Sequence, residues 1–118
     1  MTKGRVLMVE NHAVFAETVI GEFLNDYFVD RVPTIDEAER RLSRHGYSVL
    51  LVDYDLDDGK GTELLRRMLA LGVTTPVIAI SARSEGNDAL VAAGARAVCH
   101  KMDFARIAAV IAAVGADS

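Results

Sequence analysis

Four groups of polar residues interrupt an otherwise apolar chain where they could act together on one anion. Glu10-Asn11 follows the run Val6-Leu7-Met8-Val9. Asp53 follows Val49-Leu50-Leu51-Val52, with Asp55, Asp57 and Asp58 close behind. Ser81 follows Val77-Ile78-Ala79-Ile80, and Lys101 comes shortly after the stretch Arg96 to Cys99. Carboxylates and an Asn side-chain oxygen suit a hard divalent cation, and Mg²⁺ favours such oxygen ligands alongside phosphate. That cation and a lysine ammonium together neutralise the equatorial oxygens of a phosphoryl group in transfer. An aspartate can serve as the nucleophile, giving an acyl phosphate. Ser81 could then hydrogen-bond a phosphoryl oxygen and draw its loop inward. A single acid or hydroxyl at a strand end is ordinary in any α/β protein; four ends supplying complementary groups is the informative pattern.

The elements must bring those four ends to one place. Short apolar runs bounded by polar residues suit strands buried on both faces, as a parallel sheet requires. Weaker strands are expected at Phe28 to Val32 and Arg96 to Cys99. Between the strands lie stripes of helical period. Ala16, Val19, Ile20, Phe23, Leu24 and Tyr27 form the first, and Ile35, Ala38 and Leu42 the second, after the capping-box signal Thr34-x-x-Glu37. Leu64, Leu65, Met68 and Leu69, then Ala89, Leu90 and Ala93, then Phe104, Ile107, Ala108 and Ile111 give three more. Gly46, Gly72 and Gly94 stand where a helix would end in the left-handed conformation. The result is a doubly wound (βα)₅ α/β domain with a five-stranded parallel sheet in the order 2-1-3-4-5. Ligands in such sheets bind at the carboxyl ends of the strands, which is where the four polar groups stand.

From Val6 to about Val114 the chain resembles a response-regulator receiver domain of the chemotaxis-regulator type, with the flavodoxin-like fold. Asp53, with an apolar residue at Leu56 and a glycine at Gly61, is similar to the family's phosphoacceptor strand and loop. Pro76-Val77-Ile78-Ala79-Ile80-Ser81-Ala82 resembles the strand ending in the family's switch Ser/Thr, and Ala93-Gly94-Ala95-Arg96 through Lys101 the segment ending in its lysine. The resemblance implies that Asp53 accepts phosphate from a sensor histidine kinase or histidine phosphotransfer protein. It implies Mg²⁺ held by Glu10, Asn11, Asp53 and the backbone carbonyl of Asp55, with Ser81 and Lys101 on the phosphoryl oxygens. The face of helix 4, strand 5 and helix 5 would report the change to an output domain or protein. Asp55 and Arg83, two residues beyond Asp53 and Ser81, could pair across the mouth as a gate that slows attacking water.

Three positions depart from the family pattern. Asn11 replaces the second acid after strand 1, which removes a charge and weakens Mg²⁺ binding. Met102 replaces the proline after the lysine. A cis peptide before Met would cost about 3–4 kcal/mol, so a trans Lys101–Met102 bond is expected. Val98 occupies the place of the aromatic switch residue and offers no comparable lever. These departures support an alternative, a phosphorylation-independent pseudo-receiver acting as a protein–protein interaction module. The phosphoacceptor reading needs Asp53 open to solvent and close to Ser81 and Lys101.

Composition narrows the remaining classes. A chain of 118 residues is the size of one domain, read as a single receiver domain over 1–118. A net charge of −4 argues against a direct nucleic-acid groove, and Arg40, Arg41 and Arg44 read as a solvated helix face. No apolar run approaches the ~18 residues of a membrane span and no leader pattern opens the chain, so a cytoplasmic protein is expected. Cys99 is the only cysteine and lies in an apolar stretch, which suits a buried, inert thiol. A haloacid-dehalogenase-like phosphatase would carry its Asp pair on the first strand of a longer chain, and an EF-hand would close on Glu where Leu64 stands. Neither turnover of a separate substrate nor an enzyme cofactor other than Mg²⁺ is expected. Dimerisation through helices 4 and 5 is left open.

Overall fold

The computed structural model describes residues 4–116. Five parallel strands, β1 (Arg5–Val9), β2 (Phe28–Val32), β3 (Val49–Val52), β4 (Val77–Ala79) and β5 (Ala97–Val98), form one sheet. Their spatial order is β2-β1-β3-β4-β5, the doubly wound order expected. Helices α1 (Ala13–Phe23), α2 (Ile35–Leu42), α3 (Gly61–Leu71), α4 (Ser84–Ala92) and α5 (Ile107–Ala116) alternate with the strands.

Side-chain parity along the central strands divides the core in two. Leu7, Val9, Leu50, Val52 and Ala79 face α2, α3 and α4, where Ile35, Ala38, Leu64, Met68 and Leu90 meet them. Val6, Met8, Val49, Leu51 and Ile78 face the other way, onto Ala16 and Val19 of α1 and Ile107 and Ile111 of α5. β1 and β3 are apolar at successive positions because both faces are covered, and this double burial holds their ends in register. Cys99 is fully buried in the second cluster, and burial raises its thiol pKa, as an inert thiol requires.

Several boundaries differ from the sequence reading. α1 stops at Phe23; Leu24 is its C-cap and still packs into the core, while Tyr27 lies beyond the helix. α2 ends before Gly46: Ser43 caps it in right-handed geometry, and the N–H groups of Arg44 and His45 close on Arg41 O. Gly72 and Gly94 do take positive φ, at 72° and 123°. Phe104 belongs to a 3₁₀ turn, Lys101–Arg106, that precedes α5 and is kinked at Asp103. A two-residue hairpin, Asp55–Leu56 against Gly59–Lys60, was not anticipated. Among the described residues no helix is long and apolar enough to cross a membrane.

Candidate functional site

Backbone pairing runs past the strand ends and sets the rim. Glu10 N–H donates to Val32 O (2.9 Å), Asp53 N–H to Val9 O (3.0 Å), Ile80 N–H to Val52 O (3.1 Å) and Cys99 N–H to Ala79 O (2.8 Å). The residues that follow are thereby delivered to the same edge of the sheet.

At the centre of that edge Lys101 Nζ stands 2.7 Å from Glu10 Oε1 and 3.3 Å from Asp53 Oδ2. The Glu10 contact is an ion pair without hydrogen-bond alignment, whereas the Asp53 contact is a hydrogen bond. Lys101 Nζ also lies 4.7 Å from the centroid of the Phe15 ring, a cation–π contact with α1. Glu10 is fully buried; its Oε2 accepts the His12 N–H at 3.1 Å, and its backbone carbonyl accepts from Arg31 Nε at 2.8 Å. Asp53 Oδ1 accepts the Tyr54 N–H at 2.8 Å. Burial and the neighbouring Glu10 raise the pKa of Asp53 above its ordinary value, against the opposing pull of Lys101 and the Tyr54 N–H.

The expected openness of Asp53 needs correction. Its side chain is only 7% exposed, and Lys101 Nζ meets its Oδ2 at 3.3 Å. The Asn11 amide is engaged elsewhere: Nδ2 donates to Asp57 Oδ1 at 3.0 Å. Its carbonyl oxygen is buried with no hydrogen-bond partner. Such an atom is a costly orphan unless a cation or water meets it.

The acids after Asp53 go three separate ways. Asp55 pairs with Lys60 and with Arg83 (2.7 Å), and these contacts, Lys60 first, lower its pKa. Both cations also lie over the Tyr54 ring, 5.1 and 5.8 Å from its centroid. Asp58 accepts the N–H groups of Ile35 and Asp36 at 2.9 and 3.1 Å, so it caps α2 and takes no part in the site. Thr34 supplies the third contact of that cap, accepting the Glu37 N–H at 3.2 Å. No group of three or more His, Cys, Asp or Glu side chains is arranged for a metal among the described residues. The oxygens that could hold a hard cation are those of Asp53 and Glu10 together with the orphaned Asn11 Oδ1, and this mixed set fits Mg²⁺ in chemistry.

Ser81 sits at the same rim, 2% exposed, with its Oγ accepting the Arg83 N–H at 3.1 Å. A Cβ on Gly86 would stand 2.7 Å from Ser81 Oγ and 2.8 Å from Tyr54 Cβ, so the hydroxyl lies beside the residue that follows Asp53. Gly61 has an equivalent role on the opposite side, where a Cβ would collide with the backbone of Asp53 and meet Val52 Cγ1 at 3.0 Å. Close backbone approach, and not a turn, accounts for that glycine. Val98 is 39% exposed on β5, and the Lys101–Met102 peptide is trans, as expected. The sequence reading missed Gly86 and Asn87. The signal available was two weak helix formers in succession inside a helical stretch.

The model for the response regulator receiver domain matches residues 6–111. The chain belongs to the response-regulator receiver family. Among relatives of this receiver domain, the two-component response regulator PhoP of Pseudomonas aeruginosa is 30% identical over 96 residues, covering 77% of this chain and 42% of that protein. The transcriptional regulatory protein CreB of Escherichia coli is 31% identical over 96 residues, covering 77% and 40%. The receiver domain thus spans less than half the length of these relatives. The receiver domain of the sensor histidine kinase PA1611 from P. aeruginosa, solved with a magnesium ion in its active-site cleft, superposes with a TM-score of 0.84. It is 25% identical, with 96% of this chain and 98% of that one covered.

Proposed function

We propose that this receiver domain is the phosphoacceptor of a two-component system, with Asp53 as the residue that carries the phosphoryl group. The observation that supports it most is Lys101 Nζ bridging Asp53 Oδ2 and Glu10 Oε1 at the rim. An Asp53 carboxylate oxygen attacks the phosphorus of a phosphohistidine on a sensor kinase or phosphotransfer protein. The O–P bond forms as the P–N bond breaks, and the imidazole leaves with the electron pair and takes up a proton. Lys101 exchanges a carboxylate oxygen for a phosphoryl oxygen at little cost in position. The Ser81 O–H, whose oxygen already accepts from Arg83, donates to a second phosphoryl oxygen. Mg²⁺, when bound, supplies further charge neutralisation, and Asp53, Glu10, Asn11 Oδ1 and the Asp55 carbonyl are the ligands this chain offers. Because Asp53 is 7% exposed, the donor reaches it as Lys101 Nζ releases Asp53 Oδ2. The face of α4, β5 and α5, carrying exposed Val91 and Val98, presents the outcome to an output partner.

Incubation with acetyl phosphate and Mg²⁺, read by intact mass, tests the proposal: one phosphate adduct is expected, and chelation of the metal suppresses it. Mass unchanged under forcing conditions would return the chain to the class of phosphorylation-independent interaction modules.

Two smaller effects follow from the same geometry. Asn11→Asp adds a charge to the oxygen set, so calorimetric titration is expected to give Mg²⁺ binding about tenfold tighter. The Asp55–Arg83 pair closes over Tyr54 at the mouth. Arg83→Ala should therefore admit water and shorten the lifetime of phospho-Asp53 severalfold in a decay assay, and an unaltered lifetime would dismiss the gate.

A further inference from the structure

Ser81 is held from both sides by one side chain of α4. Asn87 Oδ1 accepts the Ser81 N–H at 2.8 Å, and Asn87 Nδ2 donates to Ser81 O at 3.0 Å. Ser81 and Asn87 are 2% and 4% exposed, so little water competes for these bonds. An N–H and a C=O on one residue demand an acceptor and a donor side by side, which a carboxamide supplies and a carboxylate cannot. Gly86, one residue earlier, lets α4 lie against Ser81 Oγ and Tyr54 without a Cβ between them. The start of α4 therefore rests directly on the two loops that follow Asp53 and Ile80. On the other side of the sheet edge, Val98 carries no ring that could swing.

We propose that Asn87 is a positioning residue that ties the Ser81 backbone to α4, so that movement of Ser81 toward a phosphoryl group on Asp53 is carried into α4. The proposal rests on the phosphoacceptor reading of Asp53. If Ser81 moved while α4 stayed, both bonds would break, and a backbone N–H, a backbone C=O and an amide would be stranded in a buried place. If Ser81 and α4 move together, all of them are kept. The low-energy route is the joint one, and it needs no aromatic residue on β5.

The test uses the whole chain with Mg²⁺ and beryllofluoride, a phosphoryl stand-in, followed by amide NMR. In the wild type, the amides of Tyr54 and Ser81 and those of Glu85–Ala92 are expected to shift together. In Asn87→Ala the Tyr54 and Ser81 amides still respond, while the α4 shifts shrink by about threefold or more. Asn87→Asp keeps the shape and one acceptor but loses the donor, and it should show the same uncoupling if the alanine variant does not fold. A merely structural Asn87 would lower thermal stability and leave α4 shifting in proportion to Ser81, and that result would overturn the proposal. A wild type in which neither Tyr54 nor Ser81 responds would overturn the phosphoacceptor reading first, and this inference with it.

Discussion

Asp53→Asn is expected to abolish the phosphate adduct and, in metal-free buffer, to raise the melting temperature by a few degrees. The first effect follows from loss of the nucleophilic oxygen. The second follows from the surroundings of the carboxylate, buried beside Glu10 with Lys101 shared between the two acids. Burial, then Glu10, raise the folded-state pKa of Asp53 above the ordinary 3.8. The folded chain thus holds that proton more tightly than the unfolded chain does. Between the two pKa values, stability falls as pH rises, and above the folded value the penalty is fully present. The amide variant carries no such penalty. Its advantage in thermal melts should be largest at neutral pH and vanish as pH falls toward 3.8. Equal melting temperatures at pH 7 would show that Lys101 already compensates both acids.

Lys101→Met should have the opposite sign. Methionine keeps an apolar stem of similar length but removes the cation that lies over Phe15 and between two acids whose side chains are 0% and 7% exposed. Breaking a buried ion pair on one side leaves an uncompensated charge, and here a loss of about 2–4 kcal/mol is expected in denaturant titrations without metal. Mg²⁺ should restore part of it, since a divalent cation can meet the same oxygens. Phosphorylation by acetyl phosphate should slow by about 10²-fold or more, as for loss of a charged transition-state contact. If Lys101→Met matched the wild type in both measurements, the bridge would be incidental.

The architecture was legible because burial on both faces leaves a coarse trace. Val6–Val9 and Val49–Val52 are apolar at every position, and no amphipathic alternative fits them. The Thr34 cap was legible for a local reason, its partner being three residues away. The fates of Asp57 and Asp58 were not legible. These adjacent acids are separated by geometry set 22 and 23 residues away, at the N-terminus of α2, which claims Asp58. The burial of Asp53 escaped for a similar reason: its surroundings are set by distant residues, Lys101 among them, 48 residues on. Asn87 was hidden because a polar residue on a short helix reads as surface, and only the tertiary placement of Ser81 turns it inward. Leu24 and Phe104 kept their core positions while leaving the helices assigned to them, since burial is decided by packing and helix ends by local capping.

The central claim is that one carboxylate, that of Asp53, takes the phosphoryl group. Borohydride reduction of the chain after incubation with acetyl phosphate and Mg²⁺, followed by peptide mass mapping, reads that residue directly, because an acyl phosphate is reduced where a free carboxylate is not. Reduction confined to position 53 is the predicted result. Reduction at Asp55, Asp57 or Glu10, or at no acid at all, would contradict it.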